Sequence, residues 1–456
     1  MQSLINELGH PEFDRRESAT RALEKVGVPA LEQLRAAAAR GDLELRRRAE
    51  QIIERIENTL EGVALFYRDC ELPVPRKQAP FVLYRRAHSE TFEAGFLIRP
   101  PNAREDGEVL LGLHRVRVGK IEGARPVLFI LDIRRAARPE LERWRQDVPP
   151  GECLILAIQC QLLGEERLAS VFWEKGCGES PRRGLIDFVW HDCVSGLTSV
   201  SDNRTSLAQH MHTLIARDRS LDTKENRELL VSLDKALVPS QARPGSVEAM
   251  IDDLVNDHTS VSEFKRFMLI GDDERHERLR RQGFDAIPLL INHLDDDRLT
   301  RGQHYASKHW PAYHRRVRDV VSDILVQLAP DRNNWRRVGH AYAKQDVQAW
   351  WEKTRKLGEE QYARQHLITD IGCEWVVRSS MLEILARKFP ARLPEVYRSI
   401  MADPRQISSG QVAEAIVASN LTREKKFALL SEGAQHSDER HRLAALKQLK
   451  TLEPAR

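Results

Sequence analysis

Histidine, cysteine, glycine, arginine and tryptophan clusters hold whatever chemistry this chain can do. His304, His309 and His314 recur every five residues, with Tyr305, Trp310 and Tyr313 between them. Imidazoles can ligate zinc, but helical ligands share a face only at spacings of three or four, as in His-Glu-x-x-His. A spacing of five turns successive rings about 140° apart on a helix, and Pro311 interrupts a continuous helix in any case. Only a loop could gather them, and the plainer reading is an aromatic-rich loop between two helices. Cys177, His191, Asp192 and Cys193 form a second cluster. Their spacing fits no zinc finger or ribbon, and His191 and Cys193 as base and nucleophile would have to meet in space. Neighbouring helical residues point different ways, so burial is the plainer reading. Gly176-Cys-Gly178 with Gly184 fits neither the Gly-x-Gly-x-x-Gly nor the Walker spacing; a turn between helices explains it. No metal, cofactor or catalytic set is expected.

The basic runs Arg46-Arg-Arg48, Arg278-Leu-Arg-Arg281 and His314-Arg-Arg-Val-Arg318 could contact phosphates. Acidic runs at Asp272-Asp-Glu274 and Asp295-Asp-Asp297 oppose that field. Binding through about six phosphates would fall steeply with salt. Trp350-Trp351, with Trp335 and Tyr342, suggests a recognition patch, because aromatic side chains dominate interface hot spots. Adjacent tryptophans on one helix cannot both point straight into one core. One is expected inside and the other on a neighbouring unit or a partner, so these four are the partner-binding candidates.

The elements that position these residues are mostly helical. The chain has 456 residues, 71 Lys+Arg against 68 Asp+Glu, 41% hydrophobic and 30% charged residues. That length exceeds one compact core, and a net charge of +3 sets no global field toward nucleic acid. No run approaches the roughly 20 apolar residues of a membrane span. Six cysteines without a Cys-x-x-Cys pair make no disulfide framework. Met1–Leu8 lacks the apolar core of a secretory signal, so a cytoplasmic location is expected, or export if the true start lies upstream.

In residues 1–60, Phe13, Ala19, Leu23 and Val26 recur at helical spacing. Gly27 is a stop and Pro29 suits a following first turn. Ala30, Leu31, Leu34 and Ala38 continue the stripe; Asp42 is a candidate N-cap before Ala49, Ile52, Ile53 and Ile56. Asp14–Leu23 aligns with Glu44–Ile53 at an offset of 30, the mark of stacked helical pairs. Residues 61–148 read instead as a β-rich insert. Phe92, Ala94, Phe96 and Ile98 alternate with polar residues, as do Val116 and Val118, and Pro126–Ile133 is a short apolar run. Residues 149–238 return to helices, 239–261 hold a linker at Pro239–Gly245 and a connecting helix, and 262–456 repeat the helical grammar. There, Gly283–Asp297, Arg316–Leu325, Glu374–Leu385, a restart at Arg392-Leu-Pro394 and Arg440–Leu449 read as helices or turn-helix pieces.

The acidic-Arg start, the small alanine at the crossing and the Gly-x-Pro between helices resemble a HEAT repeat. Gly164, Ala169 and Trp173 resemble one tetratricopeptide unit. Ala286–Thr300, Val320–Leu325 and Ala349–Lys353 resemble HEAT-repeat proteins of planctomycete-type bacteria, most densely over residues 246–360 and 374–400. The resemblance implies a mainly α fold, an α-solenoid of HEAT-like repeats carrying the β-rich insert. It also implies that arginines brace neighbouring repeats through acidic partners. A solenoid exposes a long surface to an extended partner. The expected function is therefore a non-catalytic protein-interaction scaffold. The alternatives are a nucleic-acid-associated protein similar to HEAT-like DNA glycosylases, and an enzyme of the HEAT-like lyase kind.

Overall fold

A computed structural model of the chain describes residues 1–86, 93–100, 107–111, 113–118, 121–122, 125–126, 128–132, 148–199, 203–262, 268–270, 274–305, 313–329, 335–338, 341–368, 375–402 and 409–452. The chain is mainly helical. Among the described residues, no helix is long and apolar enough to cross a membrane. Two compact units divide it: Met1–Gly196 with Gln209–Asp222, and Leu197–Ala208 with Thr223–Arg456.

The first unit opens with α1 (Gln2–Glu7), α2 (Phe13–Val26), α3 (Leu31–Arg40) and α4 (Leu43–Glu57). Gly27 ends α2 at a φ of +68°, a left-handed conformation that only glycine adopts cheaply. Pro29 lies in a short 3-10 turn that leads into α3. The Asp42 carboxylate accepts from the Leu45 N–H at 2.9 Å and caps α4, as its position suggested. Ala19, Leu23, Leu34, Ala49, Ile52 and Ile56 share one apolar core. Phe13 and Val26 do not join it. Phe13 lies about 120° around the helix from Ala19, and the Arg16 guanidinium covers its exposed ring at 5.7 Å; Val26 is exposed at the last residue of α2. The helices α2 and α4 pack together, as do α1 and α3. Arg48 donates to Glu17 at 2.9 Å and Arg55 to Glu24 at 2.5 Å, each pair 31 residues apart and joining α4 to α2.

The helix α5 (Leu60–Asp69) occupies the start of the segment read as a β-rich insert. Thr59 caps it, and Val63, Ala64, Phe66 and Tyr67 are buried, so the strands begin only at Phe81. They are β1 (Phe81–Arg86), β2 (Glu93–Arg99), β3 (Gly107–Leu111), β4 (His114–Val118), a small ribbon of β5 (Ile121–Glu122) and β6 (Arg125–Pro126), and β7 (Leu128–Asp132). The main sheet has the order β4-β3-β2-β1-β7, antiparallel throughout. Phe81, Phe96 and Leu110 pack on Cys153, Leu156 and Ala157 of α6 (Pro150–Leu162) and Phe172 of α7 (Glu166–Gly176). Next come α8 (Pro181–Gly196) and α9 (Arg204–Arg217), whose residues through Ala208 count with the second unit.

The second unit holds α10 (Lys224–Leu237), α11 (Val247–Asp252), α12 (Glu274–Arg280), α13 (Ile287–Asn292), α14 (Val317–Leu328), α15 (Lys344–Thr354) and α16 (Glu359–Ile368). It continues with α17 (Trp375–Lys388), α18 (Leu393–Ala402), α19 (Ser409–Ala418), α20 (Arg423–Ala434) and α21 (Glu439–Leu452). Along one row α12 packs on α14, α14 on α17, α17 on α19, and α19 on α21. Along the other, α11 packs on α13, α13 on α15, and α16 on α18. Contacts of α13 with α14, α16 with α17, α18 with α19 and α20 with α21 join the rows.

Two expectations need correction here. Residues 262–456 are not helical throughout. The strands β8 (Ser260–Ser262), β9 (Met268–Ile270), β10 (Leu299–Tyr305) and β11 (Tyr313–Arg316) form a sheet of order β11-β10-β8-β9, and β12 (Arg337–Val338) pairs with β13 (Ala341–Tyr342). Secondly, Pro239–Gly245 lies inside the second unit, with the division at Asp222. The Ser240 hydroxyl donates to Asp252 at 2.5 Å, which ties this segment to the end of α11.

Ala19 and Ala49 are fully buried where α2 meets α4. Replacing either with leucine should overpack the crossing and cost about 1–3 kcal/mol, read as a lower urea midpoint. Wild-type midpoints for both variants would contradict this packing.

Candidate functional site

The structure gathers the four partner-binding candidates, but it gathers them inward. Trp335 stands edge-on to Tyr342 at 5.4 Å and to Trp350 at 5.3 Å, and Trp351 stands edge-on to Phe284 at 4.9 Å. Trp335, Trp350 and Trp351 are only 7%, 7% and 8% exposed. Of the two places expected for the second tryptophan, a neighbouring unit or a partner, this burial goes against the partner and fits the neighbour, since Trp351 packs on Phe284. Side chains one residue apart on α15 diverge by about 100°, and apolar neighbours lie on both sides: Phe284 meets Trp351, while Trp335 and Tyr362 meet Trp350. Tyr342 is half-buried, and the Arg337 guanidinium lies 5.5 Å from its ring. The cluster is core.

The histidines do not converge either. His304 on β10 pairs with Tyr313 on β11, and Gln303 with His314. Directly opposed residues share a sheet face and neighbours alternate, so His304 and His314 lie on opposite faces. The His304 ring stacks on Tyr313 at 4.9 Å, and His309 lies outside the described residues. No three His, Cys, Asp or Glu among the described residues are placed to hold a metal. Burial pushes the Cys193 thiol up to about 12 and that of Cys160 likewise, so neither supplies a thiolate at neutral pH. Gly176 belongs to packing: a Cβ there would meet the Leu154 nitrogen at 2.7 Å, where α7 crosses α6.

Acidic partners meet most arginines of the basic runs. Arg48 meets Glu17 and Glu44; Arg278 meets Asp253 at 3.0 Å; Arg280 and Arg281 meet Glu383 at 2.8 and 2.6 Å; Arg316 and Arg318 meet Asp297. Such pairs link helices far apart in sequence, as Arg398 links α18 to Glu432 of α20 at 2.9 Å.

A buried polar network, missed in the sequence, lies in the second unit. Arg315 on β11 donates to the Thr259 carbonyl at 3.1 Å and hydroxyl at 3.0 Å, and pairs with Asp323 of α14. The Thr259 hydroxyl also meets Asp257 at 2.8 Å. His276 Nε2 on α12 faces the Asp257 carboxylate at 3.2 Å and the Thr259 oxygen at 3.3 Å. An acyl-transfer relay needs hydroxyl and carboxylate on opposite ring nitrogens; here both address one nitrogen. Burial pushes the Asp257 carboxyl up, yet the hydrogen bond and charge of His276 and the charge of Arg315 outweigh it and hold the group low. The network is structural.

An open groove of about 430 Å³ lies on the same unit. Lys224, Arg227, Glu228, Val231, Ser232 and Lys235 of α10 line it, facing Asp297 and Arg316. Thr223 caps α10 through the Asn226 N–H at 3.2 Å. Cationic side chains outnumber carboxylates in the lining, and Val231 is 52% exposed among them. No family model, curated protein or solved structure matches the chain. The chemistry of this groove therefore rests on its own lining: it can hold an anionic group beside a small apolar one.

Burial, with the charge of Arg204, pushes His314 from its ordinary 6.5 down to about 4. Between those values the unfolded chain takes up a proton that the folded chain refuses. This contribution to stability is full above pH 6.5 and is lost as pH falls toward 4, up to about 3 kcal/mol. Urea midpoints of wild type and His314→Gln should therefore diverge with pH across that window, wild type being the more acid-sensitive. A constant difference would contradict it.

Proposed function

We propose that the chain is a non-catalytic protein-interaction scaffold whose second unit is an α-solenoid of HEAT-like pairs interrupted by a small sheet. The two rows of helices support this reading, because most of their helices pack on the next along the row, as in stacked repeats. The partner held in the groove along α10 is an acidic protein segment with an apolar side chain. The observation that carries this choice is the lining itself: Lys224, Arg227, Lys235 and Arg316 against Glu228 and Asp297, with Val231 exposed between them. Asp297 is shared by Arg316 and Arg318 and Glu228 lies 3.8 Å from Lys224, so the two carboxylates of the lining are matched and a net positive charge remains. The arginine runs elsewhere have carboxylates against them, and this disfavours the nucleic-acid alternative.

The test is an affinity pull-down at two salt concentrations, with and without nuclease, comparing wild type with the double variant Lys224→Glu/Lys235→Glu. The proposal expects a stoichiometric protein that survives nuclease and is lost with the variant by about tenfold or more. Nucleic acid in its place, or a variant that keeps every wild-type partner, would overturn it.

A further inference from the structure

The helix α21 uses one face on its own chain, burying His441, Ala445 and Gln448 where it packs on α19 and α20. Its opposite face is exposed and carries Glu439, Leu443, Leu446 and Lys450, with Leu443 57% and Leu446 41% exposed. At about 100° per residue these four fall within an arc of roughly 60°. Among the described residues, neither Glu439 nor Lys450 pairs with another charge.

The order along this stripe is acid, leucine, leucine, base, and it is symmetric about the point between Ala444 and Ala445. A two-fold axis passing beside that point, perpendicular to the helix, places Glu439 opposite the second copy's Lys450 and Leu443 opposite its Leu446. An isologous contact needs a patch that complements itself under such an axis. We propose that α21 packs antiparallel against α21 of a second copy of this chain. Each Glu439 then meets a Lys450 and each Leu443 a Leu446. A parallel pairing would oppose like charges instead. Arg442 and Lys447 are related by the same axis but lie at the rim, where their mutual repulsion keeps the association weak. One helix face is a small interface, so the expected Kd is in the micromolar range.

Analytical ultracentrifugation of the full chain over a series of micromolar concentrations tests this. Wild type should dimerise with concentration. Glu439→Lys alone and Lys450→Glu alone should each weaken the dimer by about tenfold or more, because each turns two attractions into repulsions. The double variant Glu439→Lys/Lys450→Glu should restore it. A monomer at every concentration, single reversals without effect, or a double variant that stays monomeric would each overturn the proposal. A monomer that binds an acidic or basic peptide on this face would assign it to a different partner.

Discussion

The second unit depends on one buried guanidinium. Arg315 is 1% exposed, at a depth where an unpaired charge costs several kcal/mol. Thr259 meets it with two oxygens and Asp323 with a carboxylate. Asp257, also buried, is held by Thr259 and His276. This one set of charges ties the start of β8, the helices α12 and α14, and β11 together. Arg204 extends the pattern, donating to the carbonyls of Val255 and Leu299 at 2.9 and 3.1 Å. Unlike an apolar contact, each link accepts only one geometry, so it sets where the small sheet docks among the helices.

Around that anchor, stability comes from apolar stacking. The exposed ion pairs between helices, such as Arg55–Glu24 and Arg398–Glu432, are screened by water and add little to stability. Their value is in register, since a slip of one residue would separate Glu17 from Arg48 and Glu24 from Arg55 together. The aromatic group around Trp350 does for α13, α15 and α16 what Ala19 and Ala49 do for α2 and α4: large rings fill a wide gap there, and small residues permit a close crossing here. Among the described residues, the groove along α10 and the outer face of α21 are two surfaces that present charged and apolar side chains outward.

The helical grammar was legible because it rests on apolar period and punctuation. The helix α2 ends at Gly27, α4 starts behind Asp42, α13 carries Pro288 in its first turn, and α21 spans the expected Arg440–Leu449. The strands β2 and β4 showed through their alternation. β10 did not, because its inward residues are Thr300, Gly302 and His304, whose alternation is polar and escapes a hydrophobic pattern. The Asp257–His276–Arg315 network spans 58 residues with no local spacing to betray it. The tryptophan pair misled because adjacency argues for divergence, and divergence argues for exposure only when one side faces water.

Substituting Arg315 with methionine, which keeps the volume and removes the charge, tests the anchor most directly. Urea unfolding followed by tryptophan fluorescence reports on this unit through the Trp335, Trp350 and Trp351 cluster. The account predicts a loss of about 3 kcal/mol or more, because the Thr259 oxygens and Asp323 lose their donor and Asp257 loses a nearby positive charge. Unfolding within about 0.5 kcal/mol of wild type, as for an ordinary surface substitution, would contradict it.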